Sequence, residues 1–201
     1  MRSAVTIDTR PYEVDYVAEH LKWLSGDWQL VFFGSCFNEQ RIKELYPDCL
    51  FIEVTPNFNF DWLNSYMLSS EFWNAIPDEE ILIFQYDSGI LKKGIEKFFE
   101  WDYAGACWNY PKFGGNGGIS IRKKSVMLEC INPMRESGYI GHEDGYFCDI
   151  MHREGIGRMA PREVCMEFGT ETIFTLGTYT WHKINGYMPL DKCELIWNQY
   201  K

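Results

Sequence analysis

Four short segments carry residue types able to do chemistry. The apolar run 81–84 ends in Gln85-Tyr86-Asp87-Ser88. A carboxylate at such a point either caps a turn or holds a hard divalent ion. Gly114-Gly115-Asn116-Gly117-Gly118 puts four glycines into five positions ahead of Ile119-Ser120-Ile121. Glycine permits close backbone approach, or simply a tight turn. The GxxxxGK[ST] phosphate loop is absent, and the run leads into a strand instead of a helix. His142-Glu143-Asp144 sets two carboxylates at an expected helix start, where they serve the helix dipole or supply a general base. His182-Lys183, behind Tyr179-Thr180-Trp181, offers a metal ligand and a point charge for phosphate, or an ordinary surface histidine.

The elements that must hold these groups follow from hydrophobic spacing. Residues 4–7, 29–33, 50–54 and 81–84 read as strands. Residues 12–24 read as a helix, with Val14, Val17, Leu21 and Leu24 on one face. Helices are also predicted over 60–75 and from Asn38, as cap, to Leu45. Strand and helix alternate, which predicts a mostly parallel sheet covered on both faces. Ligands of such sheets gather at the carboxyl ends of the strands. That rule singles out Asp8-Thr9-Arg10 and Gln85–Ser88. Further on, 103–106 and 119–121 read as strands, and 123–131 and 143–151 as helices. No repeat or linker interrupts the chain, so a single α/β domain is expected.

Composition narrows the partners. The 201 residues carry a net charge of −10, with 46% hydrophobic and 17% aromatic residues. The hydrophobic fraction excludes intrinsic disorder. The acidity argues against nucleic acid and against docking on an anionic membrane, both of which need a basic face. Phosphate remains accessible through a divalent cation. The aromatic excess suggests a stacking surface for sugars or bases. Seven cysteines, odd in number and without a CxxC pair, suit free thiols in a reducing, cytoplasmic setting. No stretch approaches the length of a membrane span. The chain could equally be one module of a longer polypeptide.

The order of segments is more telling than any one of them. The runs 81–88, 99–108, 115–122, 142–147 and 181–183, with Ser70–Pro77 and the start Val5–Arg10, resemble a family of small glycosyltransferase-like proteins with a GT-A-type fold. That family is described as a domain of unknown function and occurs in bacteria, fungi and large DNA viruses. The resemblance implies transfer of a sugar from a nucleotide-sugar donor, UDP-linked by expectation, to a carbohydrate or glycoconjugate hydroxyl, assisted by Mn²⁺ or Mg²⁺. It implies a nucleotide-sugar-binding half, 1–100, and an acceptor-binding half, 101–201. Asp87 and His182 become metal ligands. Thr9, Arg10, Gln85, Ser88, Asn116, Gly117 and Lys183 fall on the donor. Trp108, Tyr110 and Glu143 fall on the acceptor, and Asp144 becomes the base of an inverting displacement. Gln85 departs from the Asp-X-Asp pattern of many such enzymes, which leaves one carboxylate fewer for the metal. Two rivals remain: a non-catalytic carbohydrate-binding module, and a metal-dependent nucleotidyltransferase, although Asp8–Tyr12 lacks the latter's glycine-rich loop.

Overall fold

A computed structural model describes residues 1–10, 14–55, 59–109, 114–131 and 141–199. The apolar runs form a six-stranded sheet because they are buried on both faces. Along β1 (Arg2–Asp8), β2 (Trp28–Gly34) and β4 (Glu80–Phe84), Val5, Val31, Phe33, Ile81 and Ile83 face one core, while Ala4, Leu30, Phe32, Leu82 and Phe84 face the other. With β3 (Leu50–Glu53) these strands are mutually parallel. β7 (Ile119–Lys123) runs antiparallel between β4 and β6 (Tyr103–Gly105), giving the order β3-β2-β1-β4-β7-β6. The mostly parallel α/β sheet expected from the sequence is what forms.

Helices cover both faces. They are α1 (Tyr16–Leu21), α2 (Cys36–Leu45), α3 (Phe60–Met67), α4 (Ser70–Ala75), α5 (Lys124–Cys130), α6 (Glu143–Glu154), α7 (Arg162–Phe168) and α8 (Leu190–Asn198). The helix predicted over 60–75 is two helices. The Ser69 hydroxyl accepts a hydrogen bond from Phe72 N at 3.3 Å and starts the second as its cap. α1 is shorter than predicted, and residues 11–13 lie outside the described segments. Asn38 is not the cap of α2. Ser35 takes that position, Asn38 Oδ1 accepts from Ser35 N at 2.8 Å, and its amide donates to Asp8 O at 2.8 Å. The buried side chain thus ties α2 to the carboxyl end of β1.

A small second sheet of three strands escaped the sequence reading. It consists of β5 (Ser88–Ile90), β8 (Gly169–Thr170) and β9 (Thr180–His182). α7, α8 and the 3₁₀ turn Ile95–Glu100 were also missed. Five cysteines, Cys107, Cys130, Cys148, Cys165 and Cys193, are buried thiols. Among the described residues no helix is long and apolar enough to cross a membrane.

Beneath β5, His20 stacks on Phe84 with ring centroids 4.5 Å apart. Its Nδ1 donates to Tyr16 O at 2.8 Å and its Nε2 meets Ser88 Oγ at 3.0 Å. Burial pushes its pKa down to about 4. Below pH 6.5 the unfolded chain takes up a proton that the folded chain refuses until about pH 4. Stability is therefore lost as the pH falls through that window, by roughly 3 kcal/mol at this one site. Urea unfolding at pH 7 and pH 4.5 should show a smaller pH-dependent loss in His20→Gln. Equal losses in the two proteins would remove His20 as the cause.

Candidate active site

The site begins where β4 stops. Gln85 N donates to Gly118 O at 2.8 Å, carrying the ladder one residue beyond β4. Ser88 N then turns back to Gln85 O at 3.1 Å, and Ser88 Oγ donates to the same carbonyl at 2.6 Å. This turn leaves Asp87 at the carboxyl edge of the sheet. β5 pairs antiparallel with β9 in the register Ser88↔His182, and Lys183 N donates to Asp87 O at 2.7 Å. A segment some ninety residues later is thereby laid against the acidic turn. Lys183 has a φ of 47°, a left-handed conformation uncommon for a residue with a side chain.

His182 sits between two carboxylates. Its Nδ1 is 3.0 Å from Glu171 Oε1, and its Nε2 is 3.4 Å from Asp87 Oδ1. Burial works against its charge, but the two carboxylates outweigh burial and raise its pKa to about 9. Burial likewise raises Asp87, yet His182 opposite it wins and holds the carboxyl below its ordinary range. The Asp87–His182 contact lacks hydrogen-bond geometry. Among the described residues, Asp87 Oδ1, His182 Nε2 and Glu171 Oε2 are left buried without a hydrogen bond. Such atoms are uncommon in a folded interior and call for a reason. Gly118 supplies the room, since a Cβ there would lie 2.1 Å from His182 Nε2.

The opposite wall is the N-terminus of α6. Glu143 N donates to Asn64 Oδ1 at 2.8 Å. Glu143 Oε2 and Oε1 accept from Arg122 Nη1 and Nη2 at 2.6 and 2.9 Å. Arg122 is fully buried, its guanidinium carbon 5.0 to 5.7 Å from the Tyr103, Phe147 and Trp73 ring centroids. Burial raises the Glu143 carboxyl and opposes the charge of Arg122, but the facing carboxylate keeps the guanidinium ionised. The two-pronged geometry is that of an ion pair. Among the described residues no salt bridge forms on Asp144: Oδ2 accepts from Gly117 N at 2.9 Å and Oδ1 from Gly145 N at 2.6 Å.

These groups enclose a cavity of about 230 Å³. Of the residues singled out in the sequence, Gln85, Asp87, Asn116, Glu143, Asp144, His182 and Lys183 line it. Gly117 does not line it and acts through its backbone N–H on Asp144. Four residues lie elsewhere. Ser88 is buried between Gln85 O and His20, so its hydroxyl is taken. The Thr9 carbonyl accepts from Ser35 Oγ at 3.2 Å, and Thr9 is outside the cavity. Arg10 pairs with Asp8 and lies 3.6 Å from the centroid of the Tyr86 ring at the rim. Trp108, 6% exposed, belongs to the main core and offers no face to an acceptor. Tyr110 falls outside the described residues. Unforeseen wall residues are Glu171, Asn64 and two half-exposed rings, Phe60 and Tyr187. Only the pairing of two short strands brings Glu171 to the site, and no sequence spacing signals it.

A mostly parallel α/β sheet with helices on both faces is a fold shared with solved glycosyltransferases. The glycosyltransferase GlyE of Streptococcus pneumoniae TIGR4 has this fold, with a TM-score of 0.57 and 12% identity over 100% of this chain. The chain spans 57% of GlyE. Mouse xyloside xylosyltransferase 1 is similar at a TM-score of 0.57 and 10% identity, covering 94% of this chain and 100% of that one. By sequence, residues 52–185 match the family described as "Protein of unknown function (DUF5672)", and the chain belongs to that family. No curated protein sequence matches it.

Proposed function

We propose that the protein is a glycosyltransferase that moves a sugar from a nucleotide-sugar donor, UDP-linked, to the hydroxyl of a carbohydrate or glycoconjugate. One observation carries this reading. Asp87, Asp144 and His182, far apart in sequence, converge on one cavity at the strand ends, with Asp87 Oδ1 and His182 Nε2 buried 3.4 Å apart and neither hydrogen-bonded. A divalent cation taking the place of the Nε2 proton would be held by both atoms. Among the described residues no three His, Cys, Asp or Glu side chains group to hold an ion alone. One carboxylate with diphosphate oxygens and water is a usual set for Mg²⁺ or Mn²⁺, and His182 would add an imidazole to it. Bound there, the ion would offset the diphosphate charge and stabilise the leaving nucleotide. Glu171 behind His182 fits the common pattern of a carboxylate that orients a ligating imidazole.

In this reading Lys183 faces the diphosphate, and Gln85 and Asn116 hydrogen-bond sugar hydroxyls. Arg10, stacked on Tyr86, marks the nucleoside side of the rim. The division between a donor half, 1–100, and an acceptor half, 101–201, then holds only loosely, since His182 and Lys183 serve the donor. Asp144 takes the proton of the acceptor hydroxyl as that oxygen attacks the anomeric carbon. The bond from that carbon to the diphosphate breaks in the same step, and the nucleoside diphosphate leaves with the electron pair. Glu143 has both oxygens on Arg122 and cannot share this task.

Asp87→Asn tests the reading. It removes the anionic ligand at nearly constant shape and should abolish Mn²⁺-dependent binding of UDP-sugars in calorimetry, with the melting temperature little changed. Undiminished Mn²⁺ affinity in the variant would take Asp87 out of the site.

A further inference from the structure

Along a strand, neighbouring side chains point to opposite faces. On β9, His182 therefore lines the reaction cavity while Trp181 turns to the other side of the small sheet. There it lines a second cavity of about 350 Å³, walled by Trp23, Trp181, Trp197 and Tyr86 with Glu19 and Lys22 at its edge. The three tryptophans are only partly buried, unlike Trp73 in the core. Their seating is built. Gly89 pairs with Trp181, and a Cβ at residue 89 would lie 2.4 Å from the Trp181 indole nitrogen, so the ring rests on bare backbone. Trp197 meets Trp181 edge to face with centroids 6.0 Å apart. Lys22 is ion-paired to Glu19 and lies 5.6 Å from the Trp23 ring centroid.

A concave site with aromatic walls and a few charged groups at its edge suits a flat ligand that is apolar on its faces and rich in hydroxyls at its rim. A pyranose has that form. Phosphate-bearing ligands are disfavoured, because Lys22 is already neutralised by Glu19 and the chain carries a charge of −10. A purely apolar ligand would leave the Glu19–Lys22 pair at the edge without a role. Tyr86 lines both cavities, so the groove lies beside the reaction cavity.

We propose that this groove binds a neutral glycan, namely the part of the acceptor that extends beyond the sugar receiving the new bond. The word acceptor rests on the transferase reading; glycan binding in the groove does not. The test is an array of immobilised neutral oligosaccharides probed with the intact protein, followed by calorimetry on the chains retained. Binding should need two or more sugar units, and Trp23→Ala and Trp197→Ala should each weaken it about tenfold, the loss of one stacked ring. Melting curves check that both variants fold. If either does not, Glu19→Ala and Lys22→Ala at the exposed edge take its place. An array that retains no glycan, or variants that bind as well as the parent, would overturn the proposal. Glycan binding in a protein that binds no nucleotide sugar would instead sink the transferase reading and leave the groove as a lectin-like site.

Discussion

Arg122→Met should destabilise the protein by about 3–5 kcal/mol, the scale for removing one partner of a buried ion pair. For a chain of this size that lowers the melting temperature by roughly 10 °C. The reason lies in what stays behind. Methionine fills much of the space among Trp73, Tyr103 and Phe147, but the Glu143 carboxylate, 6% exposed, loses both of its donors. An uncompensated charge in that position must protonate or draw water into the core. The double variant Arg122→Met/Glu143→Met removes both charges and should recover most of the loss, because replacing a whole buried pair with apolar side chains is often neutral. Equal instability in the single and double variants would show that the packing of Arg122, not the orphaned charge, sets the cost. The pair also reaches the cavity. Arg122 Nη2 donates to Gly117 O at 3.4 Å, and the N–H of Gly117 holds Asp144. The single variant should therefore disturb Asp144 as well as the fold.

The strands of the large sheet were legible because burial on both faces writes a continuous apolar run, as in Ile81-Leu82-Ile83-Phe84. The acidic turn and the carboxylate pair were legible for a related reason: polar residues at the edges of such runs stand out. What was not legible depends on tertiary pairing. β8 is two residues long and β9 three, too short for any period. Yet the register Thr170↔Trp181, continued by one residue, sets Glu171 beside His182. Arg122 alternates with Ile119 and Ile121 as a surface residue might, and its partner lies 21 positions away. Trp108 was misplaced because a tryptophan stacks equally well on a sugar or in a core, and its type does not say which. The type and spacing of the glycine run leave open a close backbone approach to a ligand or a tight turn. Most of the room it leaves is taken by the protein itself: Gly105 O faces Gly115, Glu143 and Arg122 face Gly117, and His182 faces Gly118.

Asp144→Asn should lower kcat by about 10²-fold or more, the usual scale for a lost proton acceptor, while leaving nucleotide-sugar affinity in place. The fold should tolerate the change, since the amide oxygen can still accept from Gly117 N–H and only the interaction of the charge with the helix dipole, about 0.3–1 kcal/mol, is lost. What asparagine cannot do is take a proton. Of the adjacent pair, Glu143 is committed to Arg122 through both oxygens, whereas Asp144 accepts, among the described residues, from the backbone N–H groups of Gly117 and Gly145 and lines the cavity. That asymmetry yields a second expectation: Glu143→Gln should act through stability and through the position of Asp144, not through the pH dependence of kcat. If Asp144→Asn keeps kcat within a few-fold of the parent, the carboxylate only supports the first turn of α6 and the base must be sought elsewhere. The stereochemical check is independent of rate. A single displacement with Asp144 as base puts the acceptor oxygen on the face opposite the departing diphosphate, so the product should carry the inverted anomeric configuration. A product whose anomeric proton coupling in NMR matches the donor's configuration would exclude that displacement, even with Asp144 essential. Its role would then be to position the sugar or stabilise charge at the anomeric carbon.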